Sequence, residues 1–140
     1  MTLYVDSNIF IFAATDKGAL GRDCRAFIGL LSEKKVNCAA SYLVVDEVMW
    51  VLRKNVGKGN AVRIAKALLS LPVKWVEVDR AVMIRMLEVC ESTALDPRDA
   101  IHVSSMRKAG LSRILSEDRD FDGLEGVERM SVSEFVHRQA

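Results

Sequence analysis

Four carboxylates stand out by type and position. Asp6 closes an opening apolar run, Thr2-Leu-Tyr-Val-Asp6, and Asp118 closes a second, Arg113-Ile-Leu-Ser-Glu-Asp118. Between them lie Glu47, inside an otherwise apolar helical stretch, and Asp99, in the first turn of another. Open α/β sheets carry their chemistry at the carboxyl ends of strands, so acids from four distant segments can share one pocket there. Such a cluster is costly: two like charges ~4 Å apart repel by ~4 kcal/mol at an effective dielectric of ~20. It needs protons, basic partners or a divalent cation. An all-oxygen site suits Mg²⁺ or Mn²⁺, ions that serve phosphoryl chemistry.

Each acid also has a plainer reading. Asp6 suits a helix cap. Asp96, Pro97 and Asp99 make a good helix start, where acids complement the macrodipole. Asp118 sits with Glu117, Asp120 and Asp122 in what reads as a solvated turn. Glu47 resists such a reading, because its helical neighbours Leu43, Val44, Trp50 and Val51 are all apolar. Asp46 has similar neighbours, and spacing alone does not choose between the two. His102, one turn after Asp99, reads as a core histidine. The histidines are too few and the Gly-x-Ser-x-Gly elbow too absent for a serine-hydrolase triad. Val56-Gly-Lys-Gly-Asn60 reads as a loop, since no strand precedes it and the phosphate-cradle pattern is incomplete. Arg53, Lys54, Lys58, Arg63 and Lys66 flank it, either as a solvated helix face or as a rim that contacts phosphates.

The elements that must position these residues alternate along the chain. Strands are expected at Leu3–Val5, Val36–Ala40, Val73–Val78, Arg113–Leu115 and Arg129–Val132. Helices are expected at Asn8–Ala14, Arg22–Lys35, from a Ser41 cap to Asn55, from an Asn60 cap to Ser70, from an Asp79 cap to Thr93, from Asp96-Pro97 to Gly110, and at Ser133–Arg138. Alternation of this kind predicts a parallel sheet covered on both faces. With 140 residues, half of them hydrophobic and 28% charged, the chain is expected to fold as a single domain over 1–140. A net charge of +1 means that any nucleic-acid contact must use a local patch. The strand near residue 2 leaves no room for a signal peptide, and no apolar run reaches ~18 residues, so a cytoplasmic protein with no membrane span is expected. Cys24, Cys38 and Cys90 are expected as reduced thiols.

The four acidic segments together resemble the PIN-domain ribonucleases, most closely the VapC-type toxins of toxin–antitoxin systems, over essentially the whole chain. Tyr-Val-Asp6-Ser-Asn8-Ile-Phe is similar to the first motif, and Ser41-Tyr-Leu-Val-Val-Asp-Glu47-Val to the second, which selects Glu47 over Asp46. Arg98-Asp99-Ala-Ile-His-Val resembles the third. Ile114-Leu-Ser116-Glu-Asp118-Arg-Asp120-Phe121 resembles the fourth, with Ser116 where a threonine is usual. The resemblance implies a Rossmann-like three-layer α/β/α fold with a central parallel sheet of four to five strands. It also implies a divalent-metal site, single-stranded RNA as substrate, homodimerisation and a small antitoxin partner. On it, Asp6, Asp99 and Asp118 hold Mg²⁺ or Mn²⁺, and Glu47 holds or deprotonates the attacking water. Asn8 and Ser116 orient the carboxylates, Asp120 is a supplementary acid, and Arg53, Lys54, Lys58, Arg98 or Arg119 steers the RNA backbone. Two alternatives remain: a PIN-like RNA-processing or RNA-binding protein without a dedicated antitoxin, and a phosphoacceptor or phosphatase domain using Asp6. The second is disfavoured by Asn8, where an Asp-x-Asp phosphatase carries an acid.

Overall fold

The computed structural model describes residues 1–139. Five strands form one parallel sheet: β1 (Thr2–Val5), β2 (Asn37–Ser41), β3 (Val73–Val76), β4 (Arg113–Leu115) and β5 (Glu128–Met130), in the order β3-β2-β1-β4-β5. Seven α-helices are found among the described residues: α1 (Ser7–Thr15), α2 (Ala19–Ser32), α3 (Leu43–Asn55), α4 (Lys58–Leu69), α5 (Arg80–Ser92), α6 (Pro97–Lys108) and α7 (Val132–Gln139). One turn of 3₁₀ helix covers Arg119–Phe121.

The period of two along each strand divides the core into two layers. Leu3 and Val5, Cys38 and Ala40, and Leu115 point into a cluster with α1, α2, α3, α4 and α7. Tyr4 and Ile114 point the other way, into a cluster with Val82, Met86 and Val89 of α5, Ala100, Ile101, Val103 and Met106 of α6, and Phe121. The result is the expected three-layer α/β/α arrangement. Burying each large side chain contributes about 1.5–3 kcal/mol, so both clusters are needed to offset chain entropy. Burial raises the thiols of Cys24 and Cys38 to about 12, and the described cysteines are all free.

Several boundaries depart from expectation for local reasons. Gly18 caps α2, which begins at Ala19, three residues before Arg22. Ser41 does not cap α3. It ends β2, paired with Val76, and Tyr42 in helical conformation precedes the helix. Gly57, at φ 86°, opens α4, so Gly59 and Asn60 lie inside it. Asn60 instead donates back to the Val56 carbonyl at 2.8 Å. Strand β3 stops at Val76, and β5 ends at Met130 because Val132 already begins α7. Asp79 caps α5 as expected, accepting from the Val82 amide at 2.9 Å.

The strand order has one decisive consequence. Chain connections leave β1 toward β2 on one side and return to β4 on the other, so a crevice opens beyond the carboxyl ends of β1 and β4.

Candidate active site

That crevice is where Asp6 and Ser116 meet. Val5 is in register with Leu115, so the next residue of each strand lies side by side, and the Asp6 amide still donates to the Leu115 carbonyl at 3.0 Å. Ser116 Oγ donates to Asp6 Oδ2 at 2.7 Å and accepts from Asn8 Nδ2 at 3.2 Å and from the Asp118 amide at 3.0 Å. One donor and two acceptor positions are all a hydroxyl has, and all three are used. Asp6 Oδ1 accepts from the Ser7 amide at 2.7 Å, and Asn8 Nδ2 lies 3.3 Å from Oδ2. The Asp6 carboxylate is therefore both a helix cap and a nearly buried group, 5% exposed, locked by its neighbours. The capping and functional readings of Asp6 coexist in one geometry.

Asp118 likewise accepts from the Asp120 amide at 2.9 Å, which folds the turn after β4 into the 3₁₀ helix. That turn brings Asp118 and Asp120 to Asp99, in the first turn of α6. One carboxylate oxygen from each lies within 4.8 Å of the others. Burial raises the Asp99 carboxyl to about 6, and the carboxylates of Asp118, Asp6 and Glu47 add to it, with His102 opposing. Asp99 thus feels three of the other acids.

Glu47 turns inward from α3 while Asp46 is exposed, so the ambiguity between them is resolved by the helix's packing. The helix buries Val44, Val48 and Leu52 against the sheet, and Glu47 sits at the edge of that stripe. Its Oε1 lies 2.5 Å from His102 Nε2, and the same nitrogen is 3.5 Å from Asp6 Oδ1. His102 Nδ1 is 2.7 Å from Tyr4 Oη, which also accepts from the Ser41 amide at 3.2 Å. His102 is buried, as expected, but it belongs to the acidic site rather than to an inert core. Burial lowers its pKa, yet Tyr4, Glu47 and Asp6 raise it more, to about 10. Tyr4 and His102 are the functional candidates that sequence reasoning missed. The available signals were the one-turn spacing of His102 from Asp99 and the position of Tyr4 two residues before Asp6.

The basic residues fall into two groups. Arg98 lines an open cavity of about 440 Å³ with Glu47, Asp96, Pro97 and Asp99, and Arg119 is exposed beside Asp118. Arg53, Lys54 and Lys58 surround the turn from α3 to α4, away from the acids. Lys54 is seven residues beyond Glu47, about 10 Å along the helix axis. There the Arg53 guanidinium stacks 3.8 Å from the Trp50 ring centroid. Trp50 is exposed, whereas Trp75 is half-buried and stacked on Tyr42.

The model of the PIN domain matches residues 3–127. The chain belongs to the PIN-domain family. Solved structures give the same fold. VapC20 of Mycobacterium tuberculosis, described as a sarcin-ricin loop cleaving toxin, is 22% identical over 89% of this chain and 98% of its own, at a TM-score of 0.71. DNA-bound VapBC of Salmonella typhimurium is 15% identical over 94% and 98%, at 0.73. A toxin–antitoxin complex of Klebsiella pneumoniae is 19% identical over 90% and 95%, at 0.65. No curated protein matches the sequence. Within this PIN domain the four motifs that carried the resemblance are the segments that meet at the sheet edge. No described helix is long and apolar enough to cross a membrane.

Proposed function

We propose that this PIN domain is a metal-dependent endoribonuclease that cuts single-stranded RNA, acting as the toxin of a VapBC-type pair. The observation that carries this function is the meeting of two groups at one sheet edge, Asp6 with Glu47 and His102, and Asp99 with Asp118 and Asp120, near enough that Asp6 and Glu47 add to the burial that raises the Asp99 carboxyl to about 6. Partial burial first, and then the neighbouring carboxylates, disfavour charge on Asp99, so the site has a deficit of positive charge, and its hard oxygen donors suit Mg²⁺ or Mn²⁺. Asp6, Asp99 and Asp118 would hold the ion, with Asp120 as a supplementary ligand.

When bound, a divalent ion supplies charge against the phosphate and lowers the pKa of the attacking water. The protein's own groups do the rest. Ser116, Asn8 and the Ser7 amide hold the Asp6 carboxylate in one orientation, so no reorganisation is needed during reaction. Glu47 takes the water's proton. His102 engages its Oε1, which assigns that task to Oε2. Arg98, beside Glu47 and Asp99, and Arg119, next to Asp118, receive the phosphates flanking the cut. Arg53 and Lys54 of α3 and Lys58 at the start of α4 extend the track for a longer strand.

In this role residues 1–140 act as one domain, in the cytoplasm and paired with a second copy. The structural neighbours solved as VapBC complexes support a small antitoxin. An apolar cavity of about 350 Å³ between α1, α2 and α4, lined by Phe10, Ile28, Ile64 and Leu68, offers a seat for such a partner's apolar side chains.

The test is direct. Purified protein should cut a labelled single-stranded RNA with Mn²⁺ or Mg²⁺ and stop with EDTA. Asp6→Asn should lose at least about a hundredfold in rate while keeping its circular dichroism, since it removes a charge at the ion. Normal cleavage by folded Asp6→Asn would refute the site.

A further inference from the structure

We infer that Tyr4 and His102 are positioning residues that hold Glu47, through a buried hydrogen-bond relay running from the β2 backbone to the carboxylate. The relay is Ser41 amide, Tyr4 Oη, His102 imidazole and Glu47 Oε1, with steps of 3.2, 2.7 and 2.5 Å. Tyr4 and His102 are fully buried, at 0% exposure each, while the Glu47 side chain retains 15%. The relay thus begins in rigid sheet and ends at the one group that reaches the crevice.

Its polarity follows from chemistry. A backbone amide can only donate, so Tyr4 Oη accepts at one end. At the other end a carboxylate only accepts, so the nitrogen facing it must carry the proton. Both the neutral Nε2–H tautomer, with Nδ1 accepting from the Tyr4 hydroxyl, and the imidazolium satisfy this. The third form, protonated on Nδ1 alone, would set a bare lone pair 2.5 Å from the Glu47 oxygen. In each permitted state His102 donates to Glu47, and Asp6 Oδ1 at 3.5 Å receives the weaker share of the same N–H.

Glu47 needs this support more than Asp6 and Asp118 do. Asp6 and Asp118 are fixed by backbone amides and Ser116 close to their own strands. Glu47 has a longer side chain on a helix, and His102 is the partner it has among the described residues. Without the imidazole the carboxylate would sample several rotamers, at a cost in orientation and proton transfer. The relay also ties α3 to α6 and β1, the three elements whose relative placement sets the distance from Glu47 to Asp99 and Asp6.

The proposal rests on the nuclease reading for its kinetic measurement and on the fold alone for its spectroscopic one. In protein labelled with ¹⁵N-histidine only His102 and exposed His137 contribute. The His102 Nε2–H should appear as a slowly exchanging, downfield proton signal that moves upfield in Glu47→Gln. A signal that is absent, or unmoved by Glu47→Gln, overturns the relay. In RNA cleavage, His102→Leu should lower kcat by about 10–100-fold with KM nearly unchanged, the usual penalty for losing a supporting partner. His102→Gln, which keeps an N–H donor, should recover most of it, and Tyr4→Phe should lose a smaller factor. Adding His102→Leu to Glu47→Ala should cost less than about twofold, because the relay has nothing left to hold. Full multiplication of the two losses, or unchanged kcat in folded His102→Leu, overturns the proposal. Wild-type protein that cuts no RNA would sink the nuclease reading and leave the proton signal to decide the relay.

Discussion

The Asp99 carboxyl, raised to about 6 chiefly by burial and then by Asp118 and Asp6, makes the metal-free site sensitive to mild acid. In the folded protein it binds a proton more readily than in the unfolded chain, whose carboxyl keeps its ordinary value of 3.8. Between those two values the folded state holds the extra proton, so Asp99's contribution lowers stability as pH rises, and its cost is complete above about 6. Metal binding requires the deprotonated form. Mn²⁺ affinity measured by titration calorimetry should therefore fall roughly tenfold per pH unit below about 6, as one competing proton demands. Thermal melts should show a larger Mn²⁺-induced rise at pH 7.5 than at pH 5. Asp99→Asn should raise the melting temperature of the metal-free protein at pH 7.5 and abolish the response to Mn²⁺. A response that survives in Asp99→Asn would remove Asp99 from the ligand set.

Among the elements, the α1–α2 junction is the most sterically constrained. Asp16 ends α1 and its Oδ2 accepts from the Gly21 amide at 2.7 Å, which turns the chain back so that the two helices pack side by side. A Cβ on Gly21 would lie 1.9 Å from the Asp16 carbonyl oxygen. Gly21→Ala should destabilise by about 1–3 kcal/mol or more, as overpacking does, read as a lower urea midpoint with an unchanged slope. Because Asp6 caps α1, strain entering at the helix's far end also bears on the site, and RNA cleavage should fall alongside stability. Gly29→Ala, where a Cβ meets nothing within 4 Å, is the control that should leave both intact. The same local logic places the acids: a cap at Asp6, a first-turn Asp99 and the 3₁₀ turn at Asp118 each use a carboxylate that backbone geometry would favour anyway.

For the whole molecule, a net charge of +1 offers no general attraction for RNA, so the proposed RNA substrate would have to be held by the local cations on α3, α4 and α6. Each phosphate contact by a cation on a single strand contributes about 0.7 to the slope of log K against log salt. Lys54→Ala with Lys58→Ala should flatten that slope by about 1.4 in a filter-binding series using inactive Asp6→Asn protein. An unchanged slope would place the RNA elsewhere and leave the acidic site as it stands. Arg98→Ala should weaken cleavage more than binding, since it borders the cavity shared by Glu47 and Asp99.

Alternating hydrophobic runs were enough to indicate a parallel α/β layer fold, and the residue types of four motifs were enough to nominate Asp6, Glu47, Asp99 and Asp118. These signals are local: period, cap chemistry and strand ends are written in a few consecutive residues. The helix starts expected near Ser41 and Asn60 lie elsewhere because the Ser41 backbone is paired with Val76 across the sheet and the Asn60 side chain donates a turn back along the chain to the Val56 carbonyl. Spacing left Glu47 and Asp46 equivalent and only the motif resemblance separated them; the burial and neighbouring acids that raise Asp99, and the membership of Tyr4 and His102 in the site, were decided by tertiary structure alone. Each depends on the strand order that opens a crevice between β1 and β4 and on the packing of α3 and α6 over it. Proximity between residues 98 positions apart, as for Tyr4 and His102, is a property of the folded chain and leaves no periodic trace in its sequence.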